Sequence, residues 1–212
     1  MSGLTLIPLD SAPPQPWRNG GGITRELFTW PADGPWRLRI SVADIHQDGP
    51  FSAYPGIDRW FAVLQGAGVR LLLPAGPVTL LAGGDPLHFA GELAPACTLL
   101  HGPTRDLNLM LRREVDQSHP GHAGGMQRVV PDQPWTSPAA LRALFCAEPI
   151  GLHTDGAPPR PPAGISVPAF TLAVSTQAAH KTWCASATSA TPQAWWMHFA
   201  PAPARAATAR GA

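Results

Sequence analysis

Apolar and polar residues alternate over several stretches of this chain. Trp36, Leu38, Ile40 and Val42 are interleaved with Arg37, Arg39, Ser41 and Ala43, the period of two that gives a strand two different faces. Leu107, Leu109 and Leu111 interleave with Asn108, Met110 and Arg112 in the same way. Between these stretches lie short apolar runs at 60–64, 69–73, 78–81 and 98–100, separated by Gly- and Pro-bearing segments at 65–68, 74–77 and 82–86. Short runs punctuated by turn residues at this spacing predict an antiparallel sandwich or barrel. One short helix is predicted over 139–145, with Ser137 as N-cap and Pro138 at the first helical position. After it comes a Pro/Gly-rich loop at 151–164. Strand-like text resumes at 170–175 and 195–199, and the Ala-rich residues 201–212 are expected to form a disordered tail.

Composition narrows the class. The chain has 212 residues, of which 44% are hydrophobic and only 14% charged, enough for one large domain or two small ones. The 21 glycines and 26 prolines argue against a helical bundle, because both residues break helix interiors. No apolar stretch approaches the roughly 20 residues of a membrane span, and the first residues lack the basic and apolar segments of a signal peptide. Net charge is +1, with Lys181 the single lysine among 15 basic residues. That balance excludes a typical nucleic-acid binder, which needs a basic excess or cluster. All acidic residues lie within 1–155, a compositional drift rather than a binding tail. Three widely spaced cysteines, Cys97, Cys146 and Cys184, fit free buried thiols in a reducing cytoplasm better than a disulfide framework.

Three strings carry candidate chemistry. Trp17-Arg18-Asn19-Gly20-Gly21-Gly22-Ile23-Thr24 lacks phosphate-loop spacing and no helix is predicted after it. It reads either as a conformationally demanding turn or as a loop lining a ligand cavity, with Trp17 as a wall and Asn19 as a polar handle. The second string runs from Asp48 to Arg59 and the third from Gly83 to Glu92. Both resemble the two motifs of the cupins, which are small jelly-roll barrels. Counting back from Gly66, the cupin metal-binding Glu position falls on Arg59 and the two His positions on Ser52 and Tyr54. In the second motif Gly83 and Gly91 fit, Phe89 stands for the proline, and the late His position falls on Ala94. A guanidinium repels a cation, so the barrel signal survives while the metal site does not. His88 and Glu92 are four apart but not in helical context, and His119 with His122 reads as a surface pair. No Gly-x-Ser-x-Gly elbow occurs, and no cysteine has catalytic surroundings.

Taken in order, Trp17–Thr24, Arg39-Ile40-Ser41-Val42-Ala43, Asp48-Gly49-Pro50-Phe51-Ser52, Pro55-Gly56-Ile57-Asp58-Arg59 and Asp106–Arg113 resemble the HutD/Ves family over roughly residues 15–115. The resemblance implies an all-β bicupin, two jelly-roll-like barrels in one chain, encoded with histidine-utilisation genes in many bacteria. It also implies small carboxylates related to histidine breakdown (formate, urocanate or formylglutamate) as ligands. The expected layout is a first barrel over 1–115, a second over 116–200 and the tail over 201–212.

Arg39, Ser41, Asn108 and Arg112 fall on the non-leucine faces of their strands and Arg59 begins another. A barrel lined by Arg, Asn and Ser suits a planar carboxylate, which a guanidinium holds bidentately. The candidate ligand-binding set is therefore Arg59, Asn19, Trp17, Arg39, Ser41, Ser52, His88, Asn108 and Arg112. Alternatively these arginines are exposed, or paired with Asp48, Asp58 or Asp106. No catalytic residue, no cofactor and no metal is assigned. The expected partners are a small carboxylate, no nucleic acid and no membrane, and a homodimer is allowed. A cytoplasmic, non-catalytic binding protein is favoured over a metal-independent isomerase or hydrolase, and over a purely structural subunit. Elemental analysis of the purified protein is expected to show no stoichiometric Fe, Mn, Ni or Zn; about one such ion per chain would contradict this reading.

Overall fold

The structure, a computed structural model, describes residues 3–113, 123–154, 164–177 and 182–200. In chain order the first strands are β1 (Leu4–Pro8), β2 (Pro14–Pro16), β3 (Gly22–Trp30), β4 (Leu38–Ile45), β5 (Gly49–Pro50) and β6 (Ile57–Gln65). They are followed by β7 (Val69–Leu73), β8 (Gly76–Leu80), β9 (Leu87–Ala90), β10 (Ala96–Leu99) and β11 (Thr104–Arg112). The second half contributes β12 (Ala123–Arg128), β13 (Trp135–Thr136), β14 (Leu141–Cys146) and β15 (Ile150–His153). It ends with β16 (Ile165–Val167), β17 (Thr171–Ser175), β18 (Thr182–Ser186) and β19 (Ala194–Ala200). Helix among the described residues is limited to two single 3-10 turns, Leu9–Ser11 and Gly91–Leu93. No helix among them is long and apolar enough to cross a membrane.

The strands form four antiparallel sheets. The order β2-β3-β4-β11-β6-β9 faces β5-β10-β7-β8 in the first half, and β1-β17-β14-β19-β12 faces β13-β18-β15-β16 in the second. Strand β1 pairs with β17, from Leu4 opposite Ser175 to Pro8 opposite Thr171. The N-terminal strand thus completes the second half's large sheet, although the sequence grouped residues 1–115 together. A five-residue strand leaves no mark of which sheet it will join, since that choice is made by a partner more than 160 residues away.

The two large sheets are joined by the molecule's most extensive apolar layer. Leu38, Ile40 and Val42 of β4 and Leu107, Leu109 and Leu111 of β11 meet Leu141, Ala143 and Phe145 of β14 in it. Leu172 and Val174 of β17 and Trp195, Met197 and Phe199 of β19 complete the layer from the second half. Each contributes every second residue, as the pleat requires. The alternate faces turn into the two barrels. The second is packed with Trp135, Trp183, Trp196 and Leu152. The first holds Phe51, Phe61, Val69 and Phe89 towards one side of its interior.

The helix expected over 139–145 is a strand. Ser137 Oγ accepts a hydrogen bond from the Ala139 backbone N–H at 3.2 Å, a local turn that resembles a cap. The chain then runs as β14 between β17 and β19, with all six residues buried. Helix preference amounts to a few tenths of a kcal/mol per residue, which cannot compete with burial on two faces and two hydrogen-bonded neighbours. Cys97, Cys146 and Cys184 are free and buried. Burial pushes the Cys97 and Cys146 thiols up to about 12, so both are protonated and inert near neutrality. His119, His122, most of the loop at 151–164 and the tail at 201–212 lie outside the described residues.

Leu109 is fully buried in the layer between the sheets, whereas Leu72 is 60% exposed. Leu109→Ala is expected to lower the free energy of unfolding by about 2–5 kcal/mol, and Leu72→Ala by no more than about 0.5 kcal/mol. Urea denaturation checks both, and equal costs would contradict the assigned core.

Candidate functional site

The first barrel holds a cavity of about 520 Å³. Its polar wall comes from the strand faces opposite the leucines. Arg39 and Ser41 project from β4, Asp106 and Asn108 from β11, and Arg59 from β6. They are neighbours through register, with Asn108 opposite Ser41 on one side and Phe61 on the other. Arg59 lies opposite Met110 and Phe89.

Arg59 dominates the site. It is only 5% exposed, and its guanidinium carbon lies 5.0 Å from the Phe51 ring centre, 5.2 Å from Phe89 and 5.7 Å from Tyr54. Aromatic faces attract a cation but do not neutralise it. One Nη–H donates to Asn108 Oδ1 at 2.7 Å, and the Asn108 amide in turn donates to Asp106 Oδ1. The buried Nε–H of Arg59 has no hydrogen-bond partner among the described residues. Desolvation lowers the Arg59 pKa to about 10, against the attraction of Asp106 and Tyr54, with the repulsion of Arg39 adding to the fall. At neutral pH the group is still a cation. Arg39 is balanced differently, its Nε lying 3.0 Å from a Glu26 carboxylate oxygen.

The glycine loop closes one end. Trp17 N–H donates to Gly22 O at 2.9 Å and Gly20 N–H to Trp17 O at 3.0 Å, making the tight turn between β2 and β3. Trp17 Nε1–H donates to Thr24 Oγ1 at 2.8 Å, and Asn19 Oδ1 accepts from Gly21 N–H at 3.0 Å. The loop is the conformationally demanding turn, with Gly20 at φ of +72°, and Trp17, Arg18 and Asn19 line the cavity.

Of the nine candidate ligand-binding residues, Trp17, Asn19, Arg39, Ser41, Ser52, Arg59 and Asn108 line the cavity. His88 and Arg112 lie outside it. His88 stacks on Trp60 at 4.2 Å, because it is the cross-strand partner of Trp60 on the face opposite Arg59. Arg112 has the right parity but sits at the end of β11, where its Nε–H donates to Trp36 O and its guanidinium covers the Trp36 ring at 5.5 Å. The counter-ion alternatives also resolve. Asp48 accepts from Leu99 N–H at 2.8 Å, and Asp58 lies 3.7 Å from the Arg113 guanidinium, leaving Asp106 as the acid linked to Arg59 through Asn108. Asp106 was missing from the candidate set, although it stands two residues before Asn108 and must share its face.

Ser52, Tyr54 and Arg59, which occupy cupin metal-ligand positions, all line the cavity. Hydroxyl groups and a guanidinium make a poor donor set for a transition metal. Among the described residues, no three His, Cys, Asp or Glu side chains come together as a metal-holding group.

Two antiparallel barrels in one chain, joined by their large sheets and with a polar cavity in one, define a bicupin. The family model for HutD matches residues 10–151, and the chain belongs to that family. It is 42% identical over 114 residues to an uncharacterised 21.2 kDa protein of the hutC 3' region of Pseudomonas putida, covering 52% of this chain and 59% of the relative. It is 38% identical over 100 residues to Protein Ves of Citrobacter koseri, covering 46% and 52% respectively. The chain therefore spans little more than half the length of the curated relatives it matches. The structure of HutD from Pseudomonas fluorescens SBW25, described as a formate condition, superposes with a TM-score of 0.76 at 24% identity, covering 93% of this chain and 98% of that one.

A Cβ added at Gly22 would lie 2.5 Å from Asp44 O and 3.1 Å from the Trp17 ring. Gly22→Ala must therefore displace a backbone carbonyl or the cavity wall, at a cost of about 1–3 kcal/mol. At Gly20 nothing lies within 4 Å, and Gly20→Ala meets only the left-handed backbone penalty of about 1–2 kcal/mol. Thermal melting should show both losses, with Trp17 fluorescence altered in Gly22→Ala alone. Unchanged melting in both variants would make the loop a mere connector.

Proposed function

We propose that this chain binds a small carboxylate of the formate, urocanate or formylglutamate type in its first-barrel cavity, without metal, as a cytoplasmic regulator or buffer in histidine utilisation. The observation that carries this reading is Arg59, a guanidinium buried to 5% exposure on a cavity wall with its Nε–H unused. Burying an incompletely paired cation is costly. A planar carboxylate restores both charge balance and hydrogen bonding, because its two oxygens match the guanidinium edge. Ser41, Ser52 and Asn19 offer further polar contacts from the surrounding wall. The hutC-region name of the Pseudomonas putida relative and the formate condition of the Pseudomonas fluorescens structure support the physiological setting and the ligand class.

Calorimetry with formate, urocanate and formylglutamate tests this directly. Arg59→Met is expected to keep the fold, since methionine matches the aromatic box and Asp106 can then hold a proton. It should lose roughly 2–5 kcal/mol of binding, the range for truncating one partner of a buried charge pair. Equal affinities in parent and variant would refute the assignment of Arg59 as the anion anchor.

A further inference from the structure

The cavity contains one acid for which carboxylate binding has so far found no use. Asp106 is 1% exposed, yet it lies on the cavity face of β11. Among the described residues its side chain accepts one hydrogen bond, from the Asn108 amide. That amide is oriented by Arg59, which uses its oxygen, so only its nitrogen faces Asp106. A neutral side chain thus separates the acid from the cation, and among the described residues Asp106 makes no direct ion pair.

The other charged or titratable groups around it do not supply one. From β4, Arg39 on the cavity side is engaged by Glu26, and Asp44 on the other face is held by Arg25 and Arg105. From β6 comes Arg59 itself, from the loop before it Tyr54, and from the glycine loop Arg18. From β10, in the facing sheet, comes the protonated thiol of Cys97. Arg18 is exposed to water, so Asp106 and Arg59 are the two buried charged groups on the cavity wall.

We propose that the cavity takes up its carboxylate together with one proton, which resides on Asp106 in the complex. This rests on the carboxylate reading above and adds to it a statement of what is bound. A ligand carboxylate at Arg59 would place two anions around one buried guanidinium. When two carboxylates share a water-poor site, one of them keeps a proton. The ligand contacts the guanidinium directly, whereas Asp106 reaches it only through Asn108, so Asp106 is the group that is protonated. Burial already pushes the Asp106 carboxyl well above the usual carboxylate range, opposed by Arg59 and reinforced by Asp44, so a further anion acts on an acid already disposed to hold its proton. The proton comes from solvent, and no bond to the ligand forms or breaks. Because the complex holds the proton more tightly than the free cavity, affinity is full at low pH. It falls as pH rises through the range in which Asp106 ionises in the free cavity.

Formate is the probe, since it remains ionised above about pH 5.5 and so contributes no titration of its own. The infrared spectrum of the parent saturated with formate at pH 7 is expected to show a carboxylic acid C=O band. That band is absent from Asp106→Asn, or is shifted by ¹³C-aspartate labelling of the parent should that variant not fold. The parent's Kd for formate should weaken between pH 6 and pH 9, at about tenfold per unit where the linkage is fully developed. Asp106→Asn should hold its Kd within about twofold over that range. The lowered Arg59 pKa of about 10 lies above this window. A saturated complex without the acid band, a parent Kd that is flat to pH 9, or a pH dependence that persists in Asp106→Asn would each overturn the proposal while leaving carboxylate binding intact. Absence of formate binding at every pH, with urocanate and formylglutamate also inert, would remove the carboxylate reading and this inference with it.

Discussion

The apolar layer between the two large sheets is the constraint from which the rest of the architecture follows. Once Leu38, Ile40 and Val42 of β4 and Leu107, Leu109 and Leu111 of β11 are committed to it, the pleat leaves their neighbours no choice of direction. Arg39, Ser41, Asp106 and Asn108 must point into the first barrel, whatever the cost of burying them. A slip of one residue would exchange the two sets, placing charges between the sheets and leucines in the cavity. The burial of six aliphatic side chains, each contributing on the order of 1.5–3 kcal/mol, is what holds that polar wall in place.

The two barrels spend their interiors differently. In the second, Trp135 and Trp196 stack at 4.9 Å, nearly parallel, and Trp183 packs edge-on against Trp196 at 6.1 Å. Aromatic bulk supplies the volume of a core there. In the first, Phe51, Tyr54 and Phe89 surround a guanidinium instead of one another, and space is left beside it. The second barrel also buries an arginine, Arg142, whose guanidinium lies over the Trp183 ring at 5.9 Å, but there the aromatic rings pack on one another around it. The N-terminal strand binds the two barrels together, since β1 leads from the second half's sheet into the first.

The arrangement at Arg59 also clarifies what became of the cupin positions. Side chains that would direct ligands at a cation direct a cation inward instead, so the barrel's geometry is retained while the charge it favours is inverted. Asn108 is the residue that makes this tolerable, taking one guanidinium hydrogen bond and passing its own to Asp106. A direct Arg59–Asp106 pair would be closed to any other anion. An amide between them keeps the cation available.

How much of this could be read from residues alone depends on the range of the interaction that decides each feature. Period-two alternation over 36–43 and 107–112 fixed the strands and their two faces, and therefore the cavity placement of Arg39, Ser41 and Asn108, because pleating is a local property of the backbone. The same parity argument covers Asp106, two residues before Asn108 and on the same face. Motif spacing located Arg59, Ser52 and Tyr54, and the run of glycines announced the positive φ of Gly20. Which barrel β1 would join, the strand state of 141–146, the stacking of His88 on Trp60 and the end position of Arg112 were settled only in the tertiary structure. Each depends on a partner strand or ring brought from elsewhere in the chain, and such contacts outweigh local propensities of a few tenths of a kcal/mol per residue. Sequence determined which faces are polar; packing decided which of those faces encloses a cavity.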